Sequence, residues 1–356
     1  GAPAANNNLA GAAPFTATAM LHPATYVNKV LFGSASGQLH LWNVKSRKLI
    51  YAFESGALGQ AHGAVTALAQ SPVADVVAVG YADGHIAVVN LLRDRTIMTF
   101  SQREEGKVTA LSFRTDAGTA TTGADDGAGG AATARLVSTG PTGALVIWNL
   151  EKKRLDSVMR GAHEGQVVSA AFLPREPLLL TCGDDNSLKL WIFDQPDGSG
   201  RLLKSRQGHY APPTRVKFYG GTTLATLGDG AEGAALQVVT AGQDQALRSF
   251  HVILDAQARE LSQGKLAAQA RRLEGGNAGA LGATRAQDLK LSAICDFDMS
   301  ETRGRDWCDI ITCHEKEPRA HVWSFEKRRC VFLFFSFYSP PACLFFVCHQ
   351  KNTHII

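Results

Sequence analysis

No cysteine occurs in the first half of this chain, and the seven that follow (Cys182, Cys295, Cys308, Cys313, Cys330, Cys343 and Cys348) keep no regular spacing. An odd, back-loaded set does not make a disulfide scaffold and reads as reduced thiols of a cytosolic or nuclear protein. Net charge is equally scarce: 36 Lys and Arg against 32 Asp and Glu leave +4. That is too little to imply nucleic-acid binding by bulk charge, so a basic footprint has to come from local clustering. There is no phosphate-cradling loop of the Walker type and no Gly-x-Gly-x-x-Gly joining a strand to a helix; the Gly-rich run at 123–130 lies in a low-complexity stretch and reads as a flexible loop. Gly1–Ala19 has no basic segment ahead of an apolar core, which argues against a secretory signal, and a start without Met in an Ala/Gly/Asn-rich stretch reads as a fragment. With 45% hydrophobic and 19% charged residues, the composition excludes a collagen, a histone-like tail protein and a long coiled coil, and is too apolar for general disorder.

What the chain does have is self-similarity. A β-branched run, small residues, a polar turn, a second β-branched run and a large terminal residue recur as Val30–Trp42, Val76–Val89, Leu136–Trp148 and Leu178–Trp191, with weaker copies ending at Phe250 and Trp323. These anchors are 47, 59, 43, 59 and 73 residues apart. The shorter steps fit the ~40–45-residue period of a four-stranded propeller blade. The longer ones carry insertions at 117–134, 220–235 and 255–283, and surface loops lengthen at little entropic cost.

A histidine precedes several copies: His62, His163 and His209 each open an alternating strand. With Trp42, Trp148, Trp191 and Trp323 they resemble the Gly-His and Trp-Asp signatures of WD repeats. In the best copy His163, Asp185, Thr181 and Trp191 are expected to form one buried hydrogen-bonded set, since a neutral imidazole can link a carboxylate to a hydroxyl. Recurrence argues against a catalytic triad, which would occur once and line one cleft. Cys308, Cys313 and His314 lack a fourth zinc ligand at a sensible spacing, and the two cysteines read as half-buried thiols beside a strand. The expectation is no catalytic residue, no metal and no cofactor.

Basic residues gather where each third strand turns into the fourth: Lys45, Arg47 and Lys48; Arg93 and Arg95; Lys152, Lys153 and Arg154; Arg201 and Lys204; Lys327, Arg328 and Arg329. In a propeller such turns emerge on one face, where their fields add into a surface for RNA phosphate or an acidic protein. Exposed turns are polar in any case, and edge strands carry Lys against aggregation, so both readings stand. The segment Asp255–Leu273 is rich in helix formers and suits either a docking helix or a solvated excursion. Val331–Gln350 is uncharged and Phe-rich, yet Pro340-Pro341 and its Ser and Tyr residues argue against a membrane helix. Cys330–Phe334 suits a last outer strand, and beyond Ser336 the repeat pattern stops.

The fold class is therefore all-β: a WD40-repeat β-propeller with about six blades' worth of a seven-bladed ring. Residues 1–18 form a disordered lead, 19–335 the propeller, and 336–356 a non-native or disordered tail. Several segments go further than the repeat. His22–Ser34, Leu39–Phe53, Gln70–Gly80, Leu111–Asp116, Phe172–Leu180, Leu190–Leu203, Arg259–Gln263 and Arg305–His314 resemble the first propeller of the WD repeat-containing protein 36 group, also called U-three small nucleolar RNA-associated protein 21. The resemblance covers about Ala19 to Phe335 and leaves out the Ala/Gly insertions. It implies a non-catalytic scaffold of the small-subunit processome, in the UTP-B subcomplex, acting in nucleolar pre-ribosomal RNA processing. The implied partners are other WD-repeat proteins of that subcomplex, pre-ribosomal RNA and small nucleolar ribonucleoprotein, with no membrane and no small-molecule substrate. The family adds a second propeller and a helical C-terminal domain. Two other function classes compete: an adaptor or substrate receptor in another complex such as a ubiquitin ligase, and a propeller hydrolase, which would need one unrepeated acid/His cluster in the central channel.

Overall fold

The computed structural model describes residues 15–53, 62–115, 134–174, 176–195, 198–219, 237–254, 258–263, 289–300, 308–317, 319–336, 346–348 and 353–355. Consecutive strands pair antiparallel into six four-stranded sheets. Blade one is β1 (Ala17–Leu21), β2 (Lys29–Ser34), β3 (Leu39–Asn43) and β4 (Lys48–Phe53). Blade two is β5 (Val65–Gln70), β6 (Val76–Tyr81), β7 (His85–Asn90) and β8 (Arg95–Ser101). Blade three is β9 (Leu111–Phe113), β10 (Arg135–Thr139), β11 (Leu145–Asn149) and β12 (Arg154–Met159). Blade four is β13 (Val167–Phe172), β14 (Leu178–Gly183), β15 (Ser187–Ile192) and β16 (Arg201–Gln207). Blade five is β17 (Pro213–Tyr219), β18 (Gln237–Gly242), β19 (Leu247–His251) and β20 (Arg259–Glu260). Blade six is β21 (Ile294–Met299), β22 (Ile310–His314), β23 (Arg319–Ser324) and β24 (Arg329–Ser336). A short pair, β25 (Phe346–Cys348) with β26 (Thr353–Ile355), follows, and β25 lies beside β21. The chain is a six-bladed β-propeller.

Burial explains the residue choice in each strand. The middle strands of a blade are covered on both faces by neighbouring blades, so β6 (Val-Val-Ala-Val-Gly-Tyr) is buried throughout and reads as a continuous apolar run. The outer strands face solvent: in β4 only Phe53 is buried. The core is correspondingly divided into one apolar cluster per blade junction. Leu31, Leu39 and Val79 lie between blades one and two, Trp148 and Phe100 between two and three, Trp191 and Ile147 between three and four. Phe250 and Leu190 fill the fourth junction, Trp323 and Phe297 the fifth.

The inner strands β1, β5, β9, β13, β17 and β21 follow one another and line a central cavity of about 450 Å³. A bulge near the start of β5, β13 and β21 frees one carbonyl, and the preceding blade fills it. Thr18 Oγ1 donates to the Val65 carbonyl (2.6 Å), Thr109 Oγ1 to Val167 (2.5 Å) and Thr214 Oγ1 to Ile294 (2.8 Å).

Of the expected insertions, 117–133 of the first, all of 220–235 and most of 255–283 fall outside the described residues, as does most of the lead. Part of the segment read as either a docking helix or a solvated excursion is described, and it is neither. Arg259–Glu260 pairs with Arg248 and Ser249 as the outer strand of blade five, and Leu261 is buried at the junction with blade six. Burial of Leu261 and cross-strand hydrogen bonds outweigh helix propensity over so few residues. Among the described residues no helix is long and apolar enough to cross a membrane.

Candidate functional site

The six sequence anchors occupy one register. Trp42, Val89, Trp148, Trp191, Phe250 and Trp323 each pair with the second residue of the preceding strand (Val30, Val77, Leu136, Leu179, Val238 and, as first residue of its strand, Ile310). What hangs on that frame differs from blade to blade.

In blade four, His163 Nδ1 donates to Asp185 (2.9 Å), which leaves Nε2 to accept from Thr181 Oγ1 (2.7 Å), and the Trp191 indole N–H donates to the same hydroxyl (2.9 Å). The carboxylate takes further bonds from Ser187 Oγ (2.7 Å) and the backbone N–H groups of Ser187 and Glu164. Burial alone would raise the Asp185 carboxyl, but the bonds from His163 and Ser187 hold it well below the usual carboxylate range. Burial lowers the His163 imidazole despite Asp185, favouring the neutral ring that the bonding pattern requires. Blade five repeats the set with His209, Asp244 (2.9 Å) and Thr240 (2.7 Å), Phe250 replacing the tryptophan. These groups sit deep in the blade: Thr181 and Thr240 are fully buried, so neither hydroxyl can reach a substrate.

The other blades solve the same problem with residues that sequence reading missed. In blade three Gln102 stands where the histidine would be and accepts from Ser138 Oγ (2.5 Å), which in turn accepts from Trp148 Nε1 (2.8 Å). Buried Glu105 accepts from Thr142 there (2.5 Å) and from Arg160 Nε (3.1 Å). In blade six the ring comes from the strand itself: His314 contacts Thr312 Oγ1 through Nε2 (2.9 Å) and the Ser292 carbonyl through Nδ1 (2.6 Å), while Trp323 donates to Thr312 (2.8 Å). The reading of His314 as a doubtful zinc ligand gives way to this structural role. Only its spacing of two from Thr312 could have signalled it. Blade two keeps half of the set, His62 with Asp83 (2.7 Å) stacked on His85, but has Val79 and Val89 in place of hydroxyl and indole. In blade one Phe32 takes the hydroxyl position, so Trp42 packs without that partner.

Among the described residues, the channel carries charge in matched form at blades five and six. Arg215 grips Asp296 through two bonds (2.9 and 3.0 Å), and Lys217 meets Asp298 (2.8 Å). These pairs tie adjacent inner strands together.

The basic residues of the third-to-fourth-strand turns share a common geometry. Asn43 Oδ1 accepts from Ser46 N, Asn90 from Arg93 N and Asn149 from Lys152 N, at 2.9–3.0 Å; Ser324 Oγ does the same for Lys327 N (3.2 Å). One residue later the backbone turns left-handed at Arg47, Asp94, Lys153 and Arg328. The position after that is Lys48, Arg95, Arg154 or Arg329, basic in every one of these four blades. All are exposed. In an up-and-down sheet these turns leave the same end as the first-to-second-strand turns, opposite the histidine sets. Two members differ: Arg201 is held by Asp194 (2.7 Å), and half-buried Lys204 lies not in the turn but inside β16, opposite Leu190, and donates to the Ile253 carbonyl (3.0 Å). The remaining eleven have no carboxylate partner among the described residues.

A family model described as the WDR36/Utp21 first beta-propeller matches residues 5–194. The chain belongs to the WDR36/Utp21 family. It is 36% identical to human WD repeat-containing protein 36 over 313 residues, covering 88% of this chain and 30% of that protein. The U3 small nucleolar RNA-associated protein 21 homolog of Schizosaccharomyces pombe is also 36% identical, over 311 residues, with 87% and 30% covered. The Saccharomyces cerevisiae U3 small nucleolar RNA-associated protein 21 is 28% identical over 320 residues, with 86% and 30% covered. The chain thus spans 30% of the length of these relatives. Among solved structures, the computationally designed Ika8 protein shares the fold alone, at a TM-score of 0.56 and 18% identity over 93% of this chain and 78% of that one. The WDR36/Utp21 match covers blades one to three and the first three strands of blade four, which hold the complete His163 set and three of the four Asn- or Ser-capped basic turns.

Proposed function

We propose that this propeller is a non-catalytic scaffold that acts in ribosome biogenesis, as part of the small-subunit processome in the nucleolus. On this reading it engages precursor ribosomal RNA and small nucleolar ribonucleoprotein beside other WD-repeat subunits of the UTP-B subcomplex. The names of its relatives supply the RNA context. The observation that carries the reading is the set of exposed cations, without carboxylate partners among the described residues, at equivalent turns of blades one, two, three and six. Rigid turns presenting cations at a blade's spacing suit a polyanion, whose condensed counterions are released on contact.

The test is affinity purification of the full-length native protein carrying Lys152→Glu, Lys153→Glu and Arg154→Glu. Association with small-subunit precursor RNA is expected to fall and to become less salt-dependent, with an unchanged circular dichroism spectrum. Undiminished association at physiological salt removes the basic turns from the account. Recovery of a different complex would remove the processome reading and leave the propeller standing.

A further inference from the structure

On the same face, at the junction of blades five and six, Gln237, Ser249, Arg259, Phe325 and Arg328 enclose a cavity of about 170 Å³. Its walls come from separate elements fixed against one another. The segment after β20 is stitched to the blade-six turn by Ser262 N donating to the Arg328 carbonyl (2.9 Å) and Cys330 N to the Ser262 carbonyl (2.8 Å). Arg259 stands directly across from Ser249 in the ladder, and Arg328 holds the left-handed corner of the turn. Phe325 stacks on Tyr219 with ring centroids 4.0 Å apart and an interplanar angle of 17°. Its backbone N–H donates to Asp309 (2.8 Å), whose other oxygen accepts from the Tyr219 hydroxyl (2.5 Å). The aromatic wall is therefore locked before anything binds.

The lining has the chemistry of a nucleotide seat. Neither guanidinium has a carboxylate partner among the described residues, although acids nearby are engaged: Glu260 with Arg248 and Lys290, Asp309 with Tyr219. Guanidinium groups match phosphate oxygens with paired N–H donors. Ser249 and Gln237 add a hydroxyl and an amide, and Phe325 offers an aromatic surface beside the cations, the combination that holds single-stranded nucleic acid. Lys327 and Arg329, the exposed neighbours of Arg328 in the same turn, add charge to this face.

We propose that this cavity is a binding site for one phosphodiester and its nucleoside in single-stranded RNA, with Arg259 and Arg328 on the phosphate and Phe325 against the base or sugar. The inference rests on the RNA reading above and makes it specific to one junction. The aromatic wall favours RNA over an acidic peptide, which would use the cations alone.

The probe is a fluorescein-labelled oligouridylate titrated by anisotropy into the whole purified chain between about 50 and 200 mM salt. For Arg259→Gln with Arg328→Gln, binding is expected to weaken ~10-fold or more and the salt slope to drop by about 0.7 for each phosphate no longer neutralised. Phe325→Leu should weaken binding ~10-fold with the slope retained, as loss of stacking does. Normal affinity and slope in the arginine variant, with weakened binding in the blade-three charge reversal, would overturn the cavity and leave the basic face intact. Absence of salt-dependent binding by the parent chain would overturn both. Tighter binding of a phosphoserine peptide than of the oligonucleotide, abolished in the same arginine variant, would reassign the seat to a protein partner and overturn the RNA assignment.

Discussion

Gly183 and His314 stand at the same point of their blades, each pairing with the first residue of the inner strand (Val167 and Ile294), and they meet opposite needs. In blade four the imidazole arrives from the preceding loop and lies against Gly183, where a Cβ would come within 2.6 Å of His163 Nδ1. In blade six the loop brings no histidine, and the residue at the glycine position supplies the ring itself. Gly183→Ala is therefore expected to push His163 off Asp185 and Thr181 and to cost about 2–3 kcal/mol in a denaturant titration, from overpacking and broken hydrogen bonds; a wild-type midpoint would show that the ring moves without penalty. Burial lowers His314 to about 4, with His321 adding to the effect and the Ser292 carbonyl opposing it. An unfolded histidine near 6.5 takes up a proton that the folded one refuses, so stability is complete above that range and drains as pH falls from about 6.5 to 4, by on the order of 3 kcal/mol. Depressed Asp185 and Asp244 act lower, losing their contribution only as pH falls below the ordinary carboxylate range. His314→Gln should be less stable at pH 7.5 yet flatter across that window in thermal melts, and parallel curves would exclude His314 as the source.

At the scale of elements, the junctions between blades are made by hydrophobic clusters but aligned by single hydroxyls. Thr109 donates to the Val167 carbonyl of the next blade and contacts Thr139 Oγ1 (2.8 Å), whereas Thr66 bonds only to Gly80 of its own blade (3.1 Å). Thr109→Val strands a buried carbonyl and is expected to cost about 1–3 kcal/mol in unfolding free energy, with a smaller loss for Thr66→Val. Equal effects would mean that the bulge carbonyl is satisfied some other way. Sequence reading recovered much at this scale: the periodicity placed all six blades, and the Asn-led turns were legible as basic. It erred at Arg259–Glu260, where a run of helix formers forms the edge of a sheet because Leu261 is buried in the adjoining junction.

For the whole molecule, stability is distributed over successive junctions rather than held in one core, as in other repeat architectures. Hydrogen exchange should follow this layout. Amides of β6, β7 and β11, buried on both faces, are expected to exchange slowest, and those of β4, β8 and β16, which carry exposed residues such as Leu49, Ile97 and Leu203, fastest. Uniform protection across all four strands of a blade would contradict that picture. The charge of the molecule is organised on the same scale: a net +4 hides a face where eleven cations stand without carboxylates among the described residues, so its field exceeds what composition suggests.

By itself the amino-acid sequence determined the repeat, the strand order and the all-β class, because hydrophobic periodicity and turn residues are local properties. It also determined the WDR36/Utp21 resemblance and the basic character of the third turn in five of the blades. Only the tertiary structure decided which side chains complete each buried set. Gln102 and His314 substitute for a loop histidine by reaching the same hydroxyl from different backbone positions, which no spacing rule encodes. It likewise divided the thirteen basic residues into eleven without a carboxylate partner among the described residues and two engaged, since Asp194 and the Ile253 carbonyl approach Arg201 and Lys204 only once the chain has folded. The cavity at the last junction follows the same rule: Arg259 and Arg328 lie far apart in sequence and meet because Ser262 binds the turn of the next blade.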